Sequence, residues 1–347
     1  MSRAPGHVLL VGIALLGGCD LVFGLDGSGR PTRLRFDNAT STTDLIDFPV
    51  LVSLDASVID YAAVIEPTTD LRFFDPATKT ELLFEVDHWD RDGESAVWVR
   101  VPKIRARSVT DEILMEVGPN VGSAAPSAAD VWRGSYELVS HLQVAAPTVS
   151  DALGRYPGTP DGVTLGVGTI GAGLTFGDTS IVTYTTSKAL LDGWDQFTVE
   201  LWLDPDYASP AALSGEPQVM SKYEPLNNCR VIFTGALQCD VQFATVATAY
   251  LNTQVIDRPS DQPWSYIVYA SDGQTLRLFQ NGAIVGETEA SALTTSSVPE
   301  PFVLGNPNRQ SSLRGTLDEI RVSHVGHSSD WVHAQYLSMT RAFVRFQ

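Results

Sequence analysis

Short strand patterns separated by turn signals run along this chain from Pro31 onward, and they restrict its fold more than any other feature of the sequence. The clearest series begins at Trp264 and contains two turn dipeptides, Asp272-Gly273 and Asn281-Gly282. Both dipeptides tolerate the positive φ angles of tight hairpin turns, so the series predicts a three-stranded antiparallel meander. Helical periodicity over ten or more residues is hard to find before the last twenty residues. The sequence therefore predicts an all-β protein.

Alternating apolar residues indicate how these strands pack. Phe197, Val199 and Leu201 fall on one face of a predicted strand, and residues 96–101 alternate in the same way. Ser328 precedes a short stretch of helical character and is expected to cap it. The chain has 347 residues, which is enough for two separate hydrophobic cores. We therefore predict two β-sandwich domains of the jelly-roll type.

The charge balance excludes one class of partner. The chain carries 41 acidic and 23 basic side chains, a formal net charge of −18, with no block of acidic residues and no basic cluster. Such a surface repels nucleic acid and anionic membranes. We therefore predict that the protein has no nucleic-acid partner.

The amino-terminal residues have the pattern expected of an export signal. The apolar run over residues 8–16 is about half as long as the roughly 20 residues that a membrane-spanning helix needs. It ends in Leu16-Gly17-Gly18-Cys19, which resembles the lipobox of bacterial lipoproteins. The resemblance implies cleavage before Cys19 and acylation of its thiol and new amino terminus, with residues 1–18 as signal peptide and residues 19–30 as a tether. An ordinary signal peptide, or a buried amino-terminal strand, is the alternative.

The other two cysteines, Cys229 and Cys239, lie on either side of strand-like residues around Thr234-Gly235. A hairpin centred on Thr234 places residue 229 opposite residue 239, close enough for a bridge across a non-hydrogen-bonded pair. An even pair in an exported chain favours a disulfide. Two reduced, buried thiols are the alternative.

Four blocks of the first half resemble the DUF2341 domain of bacterial exported proteins. In order they read Asp-Phe-Pro-Val-Leu-Val at 47–52, Asp-Leu-Arg-Phe at 70–73, Glu-Val-Asp-His-Trp at 85–89 and Val-Trp-Val-Arg-Val-Pro at 97–102. The resemblance implies a β-sandwich domain over residues 31–130. The family has no assigned activity, and the Tyr-Tyr-Gly-Asn stretch common near its end is absent from residues 115–120.

The second half, residues 131–347, resembles a LamG-like domain of the concanavalin A-like jelly-roll superfamily. The matching stretches follow the order of that family at residues 139–142, 151, 173–176, 197–202, 264, 280–282, 315–322 and 330–331. The resemblance implies a role in glycan binding, protein binding, adhesion or spacing, often with a calcium ion. Some sheets of this shape belong to glycan-cleaving enzymes.

The pattern of carboxylates argues against catalysis. Glycosidases hold two carboxylates on one strand face, and related enzymes do so with a Glu-x-Asp-x-x-Glu run that this sequence lacks. Asp318 and Glu319 are adjacent, so on a regular strand they point to opposite faces. We therefore predict no catalytic residues, and we take Asp318 as a candidate calcium ligand because calcium prefers hard oxygen atoms. Alternatively, Asp318 caps a neighbouring turn and Glu319 pairs with Arg321.

One tryptophan is a candidate for ligand binding. Trp98, Trp202 and Trp264 lie within predicted strands and are expected to be buried. Trp194 instead lies in a loop-like stretch beside Asp192-Gly193. An exposed aromatic face of this kind stacks on the C–H surface of a sugar. Trp194 is therefore the candidate ligand-binding residue, with a purely structural role as the alternative.

Two polar stretches are interpreted as solvent-exposed. Residues 87–94 contain several acids but lack the ligand spacing of a calcium loop, so they predict an exposed hairpin turn. His324, His327 and His333 are interpreted as solvated residues of a turn and a helix, with a zinc site as the alternative.

These observations favour an envelope lipoprotein that acts as a non-catalytic binding or adhesion module for a glycan or a surface protein. A polysaccharide-active hydrolase or lyase and a purely structural component of a surface complex are the alternatives. The lipid anchor predicts a place on the outer membrane or cell surface, although Asp20 after Cys19 favours inner-membrane retention in some bacteria.

Overall fold

A computed structural model describes residues 31–118, 127–206, 217–222, 228–231, 237–241, 249–252, 264–289, 294–295, 299–306 and 313–347. Antiparallel sheets dominate these residues, and the prediction of an all-β fold is confirmed. The signal-peptide, tether and lipidation predictions fall on residues 1–30, outside the described part of the chain. No helix within the described ranges has both the length and the apolar character that crossing a membrane requires.

The first sandwich contains a five-stranded and a three-stranded sheet. Its first seven strands are β1 (Thr32–Phe36), β2 (Leu45–Leu54), β3 (Leu71–Asp75), β4 (Thr80–Glu81), β5 (Phe84–His88), β6 (Ser95–Ile104) and β7 (Glu112–Val117). A 3-10 turn (Tyr61–Ala63) and the short helix α1 (Pro67–Asp70) connect β2 to β3. Strand β6 lies between β2 and β5 in the smaller sheet. The four DUF2341-like blocks of the sequence lie on or beside β2, β3, β5 and β6.

The second sandwich is the jelly roll, which follows the helix α2 (Ala128–Trp132). Its strands are β8 (Tyr136–Ser140), β9 (Thr159–Asp161), β10 (Thr164–Val167), β11 (Ala172–Phe176), β12 (Ile181–Tyr184), β13 (Phe197–Pro205), β14 (Gln218–Ser221), β15 (Asn228–Val231), β16 (Leu237–Val241), β17 (Ala249–Asn252), β18 (Ser265–Ser271), β19 (Thr275–Gln280), β20 (Ala283–Glu289), β21 (Phe302–Gly305) and β22 (Gly315–Ser323). An eight-stranded sheet orders β10-β11-β22-β13-β18-β19-β20, with β8 also paired to β22. A seven-stranded sheet orders β17-β16-β15-β14-β21-β12-β9.

The predicted meander is confirmed as β18, β19 and β20. Gly273, Asn281 and Gly282 have φ angles of 87°, 51° and 78°, which are the left-handed values that tight turns require. The predicted alternation of β13 is also confirmed, because Phe197 and Leu201 lie in the jelly-roll core. That core fills the space between the two large sheets.

The last 19 residues return to the first sandwich. Helix α3 (Ser329–Met339) begins at Ser328, whose side chain accepts a hydrogen bond from the backbone N–H of Trp331, as the capping pattern predicts. Strand β23 (Val344–Phe346) then pairs antiparallel with β1 and completes the five-stranded sheet. Phe343 is fully buried in the first core. The sequence analysis assigned all of these residues to the second domain, whereas the structure shows that they also build the first.

The cysteine pair lies on neighbouring strands. The backbone register places Cys229 of β15 directly opposite Cys239 of β16, although the side chains of these strands are outside the described part of the structure. The disulfide therefore stays a prediction. We expect thiol-reactive labelling of the unreduced, denatured protein to miss both residues, and removal of the bridge to lower the free energy of unfolding by roughly 2–3 kcal/mol. Labelling of both positions without reductant would contradict the disulfide.

Candidate functional site at the domain junction

The outward face of the eight-stranded sheet is covered by the first sandwich. Side chains of β13 and β18 alternate between the jelly-roll core and this junction, and Trp202 and Tyr266 point into the junction. Trp98 of β6 and Trp132 of α2 pack against them from the first sandwich, and both are at most 1 % exposed. The predicted burial of Trp98 and Trp202 is confirmed, whereas Trp264 is partly exposed. The two domains therefore share an aromatic interface.

A group of five charged residues, which we call the junction cluster, is enclosed in this interface: Glu85, Asp87, His141, Glu319 and Arg321. His141 follows β8, and its Nδ1 lies 2.7 Å from Glu319 Oε1 and 3.4 Å from Asp87 Oδ2. The other ring nitrogen, Nε2, lies 3.3 Å from Glu85 Oε2. One imidazole therefore contacts three carboxylates that come from both domains.

Indole N–H groups hold two of these carboxylates in place. Trp98 Nε1 donates a hydrogen bond to Asp87 Oδ2 at 3.1 Å, and Trp132 Nε1 donates one to Glu85 Oε2. Buried tryptophans usually find an acceptor for this donor, and here the acceptor is charged. The aromatic interface thereby orients the acids as well as excluding water from them.

Arg321 is the second cation of the cluster. Its guanidinium group lies 3.5 Å from Glu319 Oε2 and 3.8 Å from Glu200 Oε1, and its carbon lies over the Trp98 ring at 4.7 Å. The Arg321 side chain is completely buried. The interaction between Glu319 and Arg321 was one of the sequence alternatives, and it is present.

A β-bulge brings Asp318 and Glu319 to the same face of β22. In the pairing of β13 with β22, Glu200 lies opposite Arg321 and Trp202 lies opposite Asp318. One residue separates the two paired positions on β13, whereas two residues separate them on β22, so β22 contains one extra residue. Glu319 adopts the left-handed φ of 53° at this point. The expectation that the two adjacent acids point to opposite faces was wrong, because it assumed a regular strand.

Burial and charge shift the pKa values of the cluster in different directions. Burial raises the pKa of Asp87 well above its usual range, and the neighbouring acids add to this effect. Burial alone would lower the pKa of His141, but Asp87, Glu319 and Glu85 outweigh it and raise that pKa well above its usual range. Burial also opposes ionisation of Glu319, but His141 and Arg321 outweigh it and lower its pKa.

Asp318, the predicted calcium ligand, holds a loop. Its Oδ2 accepts hydrogen bonds from the backbone N–H groups of Thr169 and Ile170 at 2.8 and 2.9 Å. Its Oδ1 accepts a third from the N–H of Glu319 at 2.9 Å. These bonds match the alternative in which Asp318 caps a turn, and they occupy both carboxylate oxygens.

Trp194 lies away from the junction cluster, in the loop before β13. Its ring is partly exposed and stacks on His324, with 4.1 Å between the ring centroids and 14° between the planes. The backbone N–H of Trp194 donates to Thr295 Oγ1, and the N–H of Thr295 donates to the carbonyl oxygen of Trp194, both at 2.8 Å. The ring is therefore fixed in position by its neighbours.

Residues 87–94 and the three histidines near the end of the chain were predicted to be exposed to solvent, and the structure differs at Asp87 and His327. Asp87 belongs to β5, and its side chain is fully buried rather than exposed in a turn. His327 is 7 % exposed and stacks on Trp331 at 4.4 Å, so it is not a solvated turn residue. It lines a groove of about 430 Å³ between the domains, together with Arg100 and Arg133.

The buried ring of His327 predicts acid sensitivity. Burial lowers the pKa of His327 to about 3, and Arg321 contributes to this, whereas the unfolded value is near 6.5. Between these values the unfolded state binds the extra proton, so stability falls as the pH falls from 6.5 toward 3. His327→Phe keeps an aromatic ring but has no titrating group. We expect wild type to lose roughly 3 kcal/mol more than this variant between pH 6.5 and 4, as measured by urea denaturation. Parallel pH profiles of the two proteins would refute this account.

Sequence reasoning missed Glu85, Asp87 and His141 as site residues. Glu85 and Asp87 stand in one of the DUF2341-like blocks, and Asp87 was also assigned to the predicted exposed turn. His141 stands in the first jelly-roll stretch, where it was taken as part of a strand. The alternation of Glu85 and Asp87 along β5 was the available signal, since it places two acids on one strand face. Among the described residues, Asp87, His141 and Glu319 form the one group of three whose ligand atoms lie close enough to hold a metal ion.

Comparison with known families finds two matching segments in the chain. Residues 68–138 match the model of a domain of unknown function, DUF2341, and residues 176–333 match the model of the concanavalin A-like lectin/glucanases superfamily. The chain is thus similar to DUF2341 over one segment and to the concanavalin A-like superfamily over another. The predicted resemblance to both families is confirmed. Among curated proteins, none matches the sequence.

Several solved structures are partly similar to this chain at low sequence identity. The binding domain of Paraclostridial Mosquitocidal Protein 1 is 11 % identical over 61 % of this chain and 53 % of its own, with a TM-score of 0.47. Domain 4 of AbnA, a GH43 arabinanase from Geobacillus stearothermophilus solved with arabinotriose, is 16 % identical over 58 % of this chain and 100 % of its own, with a TM-score of 0.42. The ligand-binding domain of botulinum neurotoxin serotype D, solved with N-acetylneuraminic acid, is 12 % identical over 60 % of this chain and 52 % of its own, with a TM-score of 0.46. The chain thus spans about half of the length of the two toxin domains.

Proposed function

We propose that the protein is a lipid-anchored, non-catalytic module of the cell envelope, and that its concanavalin A-like domain binds an extracellular glycan at Trp194. The stacking of Trp194 on His324 carries this proposal. A surface protein is the alternative ligand, and a polysaccharide-active enzyme is the alternative from another functional class.

Trp194 has the properties of a preformed sugar platform. Its ring is partly exposed, it stacks on His324, and backbone hydrogen bonds with Thr295 fix the loop on which it lies. A sugar ring stacks on such a face through its C–H groups, and a ring that is already held in place loses little conformational entropy on binding. Asp195 is exposed one residue further along, where a carboxylate accepts hydrogen bonds from sugar hydroxyl groups.

The coverage of the eight-stranded sheet supports a binding role. Three acids of β13 and β22 face the junction: Glu200, Asp318 and Glu319, all at most 2 % exposed. Glu200 and Glu319 face Arg321. Hydrolysis of a glycosidic bond requires two carboxylates that reach the substrate, and these three acids are buried. The loop of Trp194 is on the accessible surface, because its residues 193, 195 and 196 are exposed.

A glycan-array screen of the soluble protein, with and without calcium, tests the proposal and names the ligand class. For a glycan so identified, we expect Trp194→Ala to weaken binding about tenfold or more, since aromatic contacts add about 0.5–1.5 kcal/mol to the burial of area. Trp194→Phe should retain part of the affinity. Trp264→Ala is the matched control, because Trp264 is also partly exposed but packs at the junction.

Two results would count against this function. If wild type and Trp194→Ala bind the glycan with equal affinity, Trp194 is not the binding residue. Release of reducing ends from a polysaccharide by the purified protein, abolished by one Asp or Glu substitution, would establish the enzymatic alternative instead.

A further inference from the structure

We propose that Asp87, His141 and Glu319 form a binding site for one divalent transition-metal cation, which links the two domains. This site is separate from the Trp194 platform and independent of the function proposed for it. The three ligands come from β5, from the residue after β8 and from β22, so a cation bound there would bridge the first sandwich and the jelly roll.

The spacing of the ligand atoms fits a single ion. One nitrogen or oxygen atom from each of the three side chains lies within 4.8 Å of the others. His141 Nδ1 lies 2.7 Å from Glu319 Oε1 and 3.4 Å from Asp87 Oδ2. Ligand atoms about 2.0–2.2 Å from a shared metal are separated by roughly 3–4 Å, so small side-chain shifts would complete the site.

Glu85 supplies the outer contact that metal-binding histidines usually have. Its Oε2 lies 3.3 Å from His141 Nε2 and is held in turn by the indole N–H of Trp132. A histidine that donates Nε2–H to a carboxylate presents the lone pair of Nδ1 to a metal. In that tautomer Nδ1, Asp87 and Glu319 are three acceptors that face one another, an arrangement that needs a cation or a proton between them.

Buried oxygen atoms of two proposed ligands lack hydrogen-bond donors. The side chains of Asp87 and Glu319 are fully buried, and neither Asp87 Oδ1 nor Glu319 Oε2 accepts a hydrogen bond. Arg321 lies 3.5 Å from Glu319 Oε2 and gives it partial compensation. Such unsatisfied oxygens are costly in a protein interior, and coordination to a cation would satisfy them.

The excess of negative charge around the site also favours a bound cation. Five buried or nearly buried carboxylates meet here: Glu85, Asp87, Glu200, Asp318 and Glu319. Within the described part of the chain, His141 and Arg321 are the cations that form ion pairs with them. A divalent cation would reduce this excess of negative charge, and its binding would release the Nδ1 proton of His141 to solvent.

The donor set selects the class of metal. One imidazole nitrogen and two carboxylate oxygens suit a borderline cation such as Zn²⁺, with water filling the remaining coordination positions. Calcium prefers an all-oxygen shell of six to eight ligands, so it should compete poorly here. His141 is 10 % exposed on its side chain, which leaves the cation a path from solvent.

Equilibrium dialysis of the purified full-length protein against micromolar Zn²⁺, followed by elemental analysis, tests the site. We expect about one equivalent of Zn²⁺, little affected by millimolar Ca²⁺, and visible d–d absorption bands when Co²⁺ is used instead. Asp87→Asn and His141→Gln should lose this equivalent, and Glu85→Gln should weaken it by roughly 10- to 100-fold. His333→Gln is the control for adventitious binding and should behave as wild type.

Retention of the full Zn²⁺ equivalent in a folded Asp87→Asn variant would overturn the proposal, as would the absence of Co²⁺ absorption from the wild-type protein. A thiolate-to-cobalt charge-transfer band would also overturn it, because it would assign the metal to the cysteines. If His141→Gln fails to fold, Asp87→Asn decides the matter, since an asparagine carbonyl still accepts the hydrogen bond from Trp98.

Discussion

Arg321→Ala is expected to destabilise the protein by roughly 3–5 kcal/mol, because it leaves the buried carboxylates of Glu200 and Glu319 without their guanidinium partner. The substitution also empties the space over the Trp98 ring, where the guanidinium carbon lies at 4.7 Å. Urea denaturation followed by tryptophan fluorescence measures the loss, since Trp98 and Trp132 lie in the affected interface.

Two variants separate the charge of Arg321 from its shape. Arg321→Lys keeps the positive charge but loses the planar stacking group, so it should fall between wild type and Arg321→Ala. Arg314→Ala is the surface control: its side chain is 56 % exposed and lies 3.8 Å from Asp178, and such exposed pairs contribute about 0–1 kcal/mol. An Arg321→Ala variant as stable as Arg314→Ala would show that the interface does not depend on this cation.

Cys19→Ser is expected to move the protein entirely from the membrane fraction to the soluble fraction. Lipoprotein processing attaches more than one acyl chain, and each buried CH₂ group contributes about 0.8 kcal/mol to membrane binding, so the anchored form should not dissociate measurably. Detergent phase separation of cell extracts distinguishes the two forms. Cys229→Ser is the control, because it removes a thiol but leaves the lipobox intact. Partition of Cys19→Ser into the detergent phase would contradict lipidation at this residue.

Local patterns in the sequence were sufficient for the strands and their turns. The Asp-Gly and Asn-Gly dipeptides located the β18–β20 meander. The alternation of apolar residues that begins at Phe197 located β13 and identified the face that packs in the core. Ser328 located the start of α3. In each of these cases, the residues that decide the local conformation are neighbours along the chain.

The junction depends on contacts that no local pattern contains. Asp87 and Glu319 lie more than two hundred positions apart, and β5 and β22 belong to different sandwiches. The prediction that Asp318 and Glu319 point to opposite faces assumed that side chains alternate regularly along β22. The bulge at Glu319 interrupts this alternation. His141 has no local feature that separates a buried charged histidine from a surface one. Long-range packing therefore determines the candidate site, and the structure was needed to see it.

The pairing of β23 with β1 also sets an order for folding. Strand β1 is hydrogen-bonded on one side to β7 and on the other to β23, and about three hundred residues separate it from β23. Because synthesis begins at the amino terminus, β1 is available to pair long before the strand that covers its second edge. The first sandwich therefore passes through an interval with an open edge, when it is most prone to pair with another chain. The five-stranded sheet is completed only after the jelly-roll residues have been made, so a chain that is interrupted before β23 leaves the first sandwich with an open edge.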